Sequence, residues 1–311
     1  MSKTPVKILS IYEFMQFFPN EQAAIDHLAS ILWQNGTVCP LCQGKNVTPR
    51  KNRQNYHRCN ACRKDFTIRT GTIFERSHVP LHKWLFAMYL IVTARKGISS
   101  VQLAKELGIT QRSAWFLLHR VRAACGNQVA KMLSGIIEVD ETYLGGLEKN
   151  KHANKKLHQG RGAVGKTPVF GMRERGGHVL ACMVESTSAS TLQGIIRENV
   201  LADSTICSAE HKSYNGLDDD FVHKVVNHSA KQYVDGIAHT NSIESVWAVL
   251  KRGYRGIYHS MSKKHMRRYV DEFTFRLNEG ACQFATVNRL EALVLGAIGQ
   301  RLTYRMLTRK I

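Results

Sequence analysis

Four cysteines are spaced as a metal site. Cys39-Pro-Leu-Cys42 and Cys59-Asn-Ala-Cys62 stand 16 residues apart. Each pair makes a tight turn that aims two sulfurs at one ion, and two such turns close a thiolate tetrahedron around Zn²⁺. The zinc would be structural, because a segment of about forty residues cannot hold a core alone. Arg50, Lys51, Arg53, His57 and Arg58 lie between the pairs and can face phosphate. His57 is an alternative ligand, with a surface position as the simpler expectation. The other cysteines, Cys125, Cys182, Cys207 and Cys282, are scattered.

Carboxylates form a second constellation. Residues 135–146 read GIIEVDETYLGG, a strand that ends in acids and closes on a Gly-Gly turn. Alternation puts Glu138 and Asp140 on one face and Glu141 on the other. Further on, HTNSIESVW opens a helix on which Glu244 and Lys251, seven apart, share a face. Local chemistry alone makes Asn241 an N-cap with Glu244 at the third position, a capping box. That accounts for neither Asp140 nor the basic surroundings. A third motif misleads: Gly160 to Thr167 matches the phosphate-cradling GxxxxGK[ST] loop. Such a loop must follow a buried strand and open a helix. Here a basic loop precedes it, and Pro168 with the strand-like Val169-Phe170-Gly171-Met172 follows. Residues 149–166, with Lys155, Lys156, Arg161 and Lys166, read better as a basic contact for nucleic acid.

The elements that carry these groups follow from periodicity. Apolar positions at helical spacing predict one or two short helices over 8–34, broken near Pro19. Residues 98–122 predict a helix-turn-helix. Ser99 or Ser100 caps a helix over Leu103, Ala104 and Leu107. Gly108 makes the turn, and Thr110 caps a second helix that turns Ala114, Leu117, Leu118 and Val121 inward. The early outward positions Gln111, Arg112 and Ser113 are then placed to touch DNA. From about 135, strands near 168–174, 178–186 and 204–209 and a helix near 190–200 give an α/β order with a mixed sheet. A long helical pattern runs from about 240 towards 278, and 281–311 reads as a basic helical tail. The expected divisions are N-terminal helices at 1–35, ribbon at 36–76, helix-turn-helix region at 77–128, α/β domain at 129–280 and tail at 281–311.

Charge names the partner. There are 44 Lys and Arg against 24 Asp and Glu, a net charge of +20. A field this positive suits a polyanion. Hydrophobic residues at 43% can fill real cores. The sequence has no apolar run long enough to span a membrane and no signal-peptide pattern, which predicts a cytoplasmic chain and no membrane partner.

The sequence resembles the ISXO-like insertion-sequence transposases, which place a zinc ribbon before a ribonuclease-H-like DDE domain. The resemblance rests on the CPLC/CNAC ribbon, VDETYLGG, GRGAVGKTPVFG, EHKSYNGL, VNHSAKQYV and the long block from His239 to Asn278. It covers nearly the whole chain. It implies metal-dependent cutting and joining of DNA, in which three acids on separate elements hold two Mg²⁺ or Mn²⁺ ions roughly 4 Å apart. It makes Asp140 the first acid and Glu244 the third, with Asn241 the weaker candidate for that third role. Lys251, with Arg252 beside it, would touch substrate DNA. The second acid should stand just before Glu210-His211, where this chain has Ala209, 35 positions before Glu244 (244 − 209). A methyl group cannot ligate a metal. Glu210 points to the other face if the strand persists, and Asp203 comes too early. The resemblance therefore implies a transposase that is impaired in its chemistry, acts on terminal repeats and target DNA, is homo-oligomeric on DNA and is associated with the nucleoid. The competing expectation is a non-catalytic DNA-binding protein or repressor of the same descent.

Overall fold

Side-chain caps set where the first helices begin. In the computed structural model, which describes residues 7–128, 131–146, 152–157, 163–226 and 238–309, Ser10 and Glu13 form a reciprocal capping box on α1 (Ile11–Phe17). Asn20 accepts from the Ala23 amide to start α2 (Glu21–Leu32). Pro19 falls in the break between them. Next comes a three-stranded antiparallel ribbon, β1 (Val47–Pro49), β2 (His57–Cys59) and β3 (Asp65–Phe66). Its core is small: Cys39, Cys59 and Phe66, with Trp33, Val47 and Cys62 packed on it. Helix α3 (Leu81–Thr93) is buried nearly all round, as an apolar helix must be. Then follow α4 (Ser100–Leu107) and α5 (Gln111–Cys125).

The chain divides into two units, Val129–Asn278 and the remainder, Met1–Gln128 with Glu279–Ile311. The first of these is a mixed α/β unit. Its strands are β4 (Ile136–Leu144), β5 (Thr167–Glu174), β6 (Val179–Met183), β7 (Thr205–Ala209) and β8 (Val222–Val226). They lie in the order β6-β5-β4-β7-β8. The β4–β5 and β5–β6 pairs are antiparallel; β4–β7 and β7–β8 are parallel. This is the expected α/β unit with a mixed sheet. The edge strand β8 is not among the strands expected from the sequence. Its Val222, Lys224 and Val225 are exposed, so it lacks the buried alternation that marks a strand in sequence.

Alternation sends the two faces of the sheet to different helices. Ile137, Val139, Phe170, Met172 and Ile206 pack with Leu192 and Ile196 of α6 (Ala189–Asn199). Leu144 and Val169 pack with Ile243, Val246, Trp247 and Leu250 of α7 (Asn241–Gly253) and with Met266, Val270 and Phe273 of α8 (Lys263–Leu277). The expected long helix is thus two helices. A π-helical turn, Tyr254–Tyr258, and His259 at φ 55° separate them. Gly253 and Gly256 weaken the helix there, which apolar spacing alone does not register.

The C-terminal segment belongs with the N-terminal unit rather than standing as a separate tail. Helix α9 (Thr286–Gly296) is buried through Leu290, Leu293 and Val294. Arg289 Nη1 donates to the Val92 carbonyl at 2.6 Å, and the Leu9 amide donates to Thr286 Oγ1 at 3.1 Å. Gly296 passes so near α5 that a Cβ there would sit 2.3 Å from the Ala124 carbonyl oxygen. A short helix, α10 (Tyr304–Thr308), capped by Thr303, ends the described chain.

Candidate active site and nucleic-acid interface

On β4, Glu138 and Asp140 face α7, as alternation requires, and do different work. Glu138 is fully buried. Its Oε2 accepts from the Ser242 and Ile243 amides at 2.7 and 3.1 Å, and its Oε1 accepts from Arg175 Nε at 2.8 Å and from Ser242 Oγ at 3.1 Å. Arg175 Nη2 donates to the His239 carbonyl at 3.1 Å. His239 Nδ1 lies 3.1 Å from Glu138 Oε1 but outside hydrogen-bonding geometry. Glu138 therefore caps α7 from another element, meeting the free amides and positive end of the helix with a carboxylate. This corrects the capping-box reading. The N-cap residue is Thr240, and Asn241 is the first helical residue. Thr240 Oγ1 instead donates to Glu244 Oε1 at 2.9 Å.

Asp140 accepts from Trp247 Nε1 at 3.0 Å. The indole reaches it because Gly171, directly opposite Asp140 on β5, has no side chain. Burial pushes the Asp140 carboxyl up to about 7. The charge of Glu141 adds to this and that of Glu244 adds further, against the opposing pull of the Glu141 amide and Trp247. A carboxylate held this way gains from a cation beside it.

Ala209 ends β7. Parallel pairing runs Ile136–Thr205, Ile137–Ile206 and Glu138–Cys207, and two residues further along that register Ala209 stands level with Asp140. Parity puts it on the α7 side as well. Glu210 lies beyond the strand and is exposed. Glu141 faces the other way, where Tyr214 Oη donates to its Oε2 at 2.5 Å and His211 Nε2 lies 3.8 Å from its Oε1. Ala209 thus brings no ligand atom to the side of the sheet where Glu244 stands near enough for its charge to raise Asp140. Among the described residues the one grouping of three or more His, Cys, Asp or Glu with metal-binding geometry is elsewhere, at the four cysteines.

Those cysteines fit zinc. The four sulfurs lie within 4.8 Å of one another, with Cys39–Cys62 at 3.7 Å and Cys42–Cys59 at 3.5 Å. A tetrahedral ion with Zn–S bonds of 2.3 Å sets its ligand sulfurs about 3.8 Å apart. Although the Gly44 amide favours its thiolate, the thiols of Cys59 and Cys62 push Cys42 up to about 12. Four thiolates this close need a divalent cation. His57 stands outside the four-sulfur cluster; it is half-buried and packs between Trp33 and Phe66, centroids at 5.0 and 5.6 Å. Arg50 and Arg58 both pair with Asp65, at 3.4 and 3.0 Å.

The helix-turn-helix forms as spaced. Ser99 accepts from the Gln102 amide, Gly108 takes the left-handed conformation at φ 60°, and Thr110 accepts from the Ser113 amide. Gln111, Arg112 and Ser113 are exposed. Gln111 Nε2 donates to Ser100 Oγ at 2.8 Å, and the Arg112 guanidinium stacks over the Tyr304 ring at 4.5 Å. Lys251 and Arg252 are exposed on α7, and Arg252 Nε donates back to the Ala248 carbonyl at 3.1 Å. Lys155 closes a single 3₁₀ turn, Ala153–Lys155. Lys156 and Lys166 are half-buried. Arg161 and most of VNHSAKQYV lie outside the described residues. Thr167 opens β5 rather than a helix, as the rejection of a phosphate loop requires. Sequence reading missed Trp247, Gly171, Arg175 and the capping role of Glu138. Only the shared face of Glu138 and Asp140 hinted at them.

Comparison with known proteins gives these features a context. Residues 132–278 match the ISXO2-like transposase domain, and residues 19–65 match the transposase zinc-ribbon domain. An uncharacterized protein in transposable element ISH50 of Halobacterium salinarum is 29% identical over 272 residues, spanning 83% of this chain and 91% of its own. An uncharacterized transposase-like protein of Haemophilus influenzae is 29% identical over 121 residues, 39% of this chain and 96% of its own. Among solved structures, a chain of the simian T-cell lymphotropic virus intasome in complex with PP2A regulatory subunit B56 gamma aligns over 64% of this chain and 70% of its own. It is 14% identical, with a TM-score of 0.29.

Proposed function

We propose, from the premise that this chain belongs to the ISXO2-like transposases, that it binds the ends of its own element and is impaired in cutting and joining them. The observation that carries the proposal is Ala209. It continues the β7 register level with Asp140, on the side of the sheet that faces α7. Asp140 and Glu244 are the acids left to hold Mg²⁺ or Mn²⁺. When bound, such ions would activate water or a 3′-OH and stabilise the leaving oxygen. Two carboxylates are one short of the set that holds a pair of ions. The chain's own groups still orient the site: Trp247 fixes Asp140, Thr240 fixes Glu244, and Glu138 fixes the start of the helix between them. Lys251 and Arg252, both exposed on α7, would meet the phosphates of the strand entering the site. Asn241 sits at the first turn of that helix as a neutral alternative to Glu244.

The ribbon, the helix-turn-helix and a net charge of +20 support DNA as the partner. No helix among the described residues is long and apolar enough to cross a membrane. Joining two ends calls for more than one copy on the DNA, and the nucleoid is the corresponding place of work. A second reading, a DNA-binding repressor without chemistry, draws on the same Ala209 with the DNA-binding elements left intact.

The test is Mg²⁺-dependent cleavage and strand transfer on the element's end DNA, comparing the chain as it stands with Ala209→Asp. Activity confined to the Asp variant, and abolished again by adding Asp140→Ala, is the expected result. Equal activity in both would move the second ligand to another carboxylate, with Glu210 the first to test. End binding without cleavage in either form would favour the repressor.

A further inference from the structure

Arg112, on the first turn of α5, is where a helix-turn-helix meets DNA, yet its guanidinium lies over an aromatic ring from the far end of the chain. That ring, Tyr304, is itself braced. It meets Phe116 edge-on at 5.6 Å and Trp115 at 6.3 Å. Phe116 lies under the Arg120 guanidinium at 5.0 Å, and Arg120 in turn lies over Trp84 at 5.7 Å. Arg120 and Trp84 are buried, and Arg120 Nη2 donates to the Glu75 carbonyl at 2.5 Å. A chain of contacts, ring to cation to two rings to cation, thus climbs from the core at Trp84 to the exposed Arg112. Leu302 and Leu307 are buried on either side of Tyr304 and hold α10 in place.

We infer that the C-terminal helix α10 is part of the DNA-binding surface, with Tyr304 holding Arg112 ready for a phosphate and Arg305, exposed on α10 next to Tyr304, supplying a second cation. The inference rests on the reading that this chain binds DNA. Arg112 and Arg305 are both exposed. Neither 111–125 nor 301–309 contains an acidic residue, so the surface suits a polyanion rather than a mixed protein face. A free arginine loses much rotamer freedom when it engages a phosphate. One already stacked on a ring loses less, and its donors stay free at the guanidinium edge.

The experiment uses the full zinc-loaded chain. Fluorescence anisotropy would follow its binding to a labelled duplex carrying the element's terminal repeat, and to a scrambled duplex, across a salt series. Tyr304→Leu is expected to weaken both complexes about two- to fivefold, in line with an exposed cation–π contact. Arg112→Ala and Arg305→Ala should each lower the salt slope by about 1. Tyr304→Phe keeps the ring and should bind as the parent does. Adding Tyr304→Leu to Arg112→Ala should cost nothing further. Tyr304→Leu binding as tightly as the parent, or tighter, with an unchanged melting temperature, would overturn the inference while leaving the DNA-binding reading intact. Tighter binding would mean that α10 shields the helix instead. No salt-sensitive binding by the parent chain would overturn both.

Discussion

At Gly171 a single added methyl would stand 2.4 Å from Cη2 and 2.5 Å from Cζ2 of Trp247. Both contacts are with a rigid ring packed in the core, so the ring or the strand must move. The same ring carries the N–H that meets Asp140. Gly171→Ala is therefore expected to destabilise the Val129–Asn278 unit by about 1–3 kcal/mol, the usual cost of overpacking. It should also shift tryptophan emission as the indole leaves its site. Urea unfolding followed by fluorescence measures both, and an alanine variant as stable as the parent would show that the indole is not held against β5. Trp247→Phe keeps most of the packing and removes the donor. Its expected cost is about 1 kcal/mol, with the larger effect on how Asp140 is held.

Helix α7 meets a carboxylate from β4 and helix α8 carries one of its own, and the surroundings set the role of each. Glu138, itself fully buried, receives the first amides of α7 and the partly exposed Arg175 guanidinium. Glu138→Ala would leave that cation and those amides without their acceptor. A loss of about 3–5 kcal/mol is expected, seen as earlier hydrogen exchange at the start of α7 than in the strands. Uniform exchange across the unit would mean that Glu138 does not anchor this helix in particular. On α8, burial raises Asp271 to about 6 against the opposing charges of Arg267 and Arg268, with the half-buried thiol of Cys182 nearby. The folded value lies above the unfolded one of 3.8, so the stability tied to this group is whole below about pH 4. It is lost as pH rises towards 6. Asp271→Asn should thus gain about 1–3 kcal/mol over the parent at pH 8 and nothing at pH 4. A gain independent of pH would remove the titration as its cause. How much of this was legible depended on distance along the chain. The zinc ligands and the caps at Ser99, Gly108 and Thr110 were readable because partner and group lie within a few residues or a fixed spacing. The mixed sheet followed from element order. The Glu138 cap and the Trp247 contact join residues 104 to 107 positions apart, and no local pattern encodes such a meeting. The split between α7 and α8 was hidden for another reason: apolar spacing continues across it.

Across the chain, the two units rely on different sources of stability. The sheet unit has two clusters of buried side chains, one on each face. The ribbon, within the other unit, has Cys39, Cys59 and Phe66 as its buried core. A core so small cannot offset the conformational entropy of thirty or so ordered residues, which costs roughly 1–2 kcal/mol each. The metal must supply the difference. One zinc per chain is therefore expected, and its removal should act on the ribbon alone. With a strong chelator under reducing conditions, the amides of β1, β2 and β3 should lose their protection from hydrogen exchange. Those of β4, β5 and β7 should keep theirs, because no ribbon residue belongs to either cluster around the sheet. Cys59→Ser should reproduce the effect without chelator, since it removes both a ligand and a member of the ribbon core. A zinc content near zero in the freshly purified chain, or a ribbon still protected after chelation, would show that the four thiols are a packed cluster rather than a metal site.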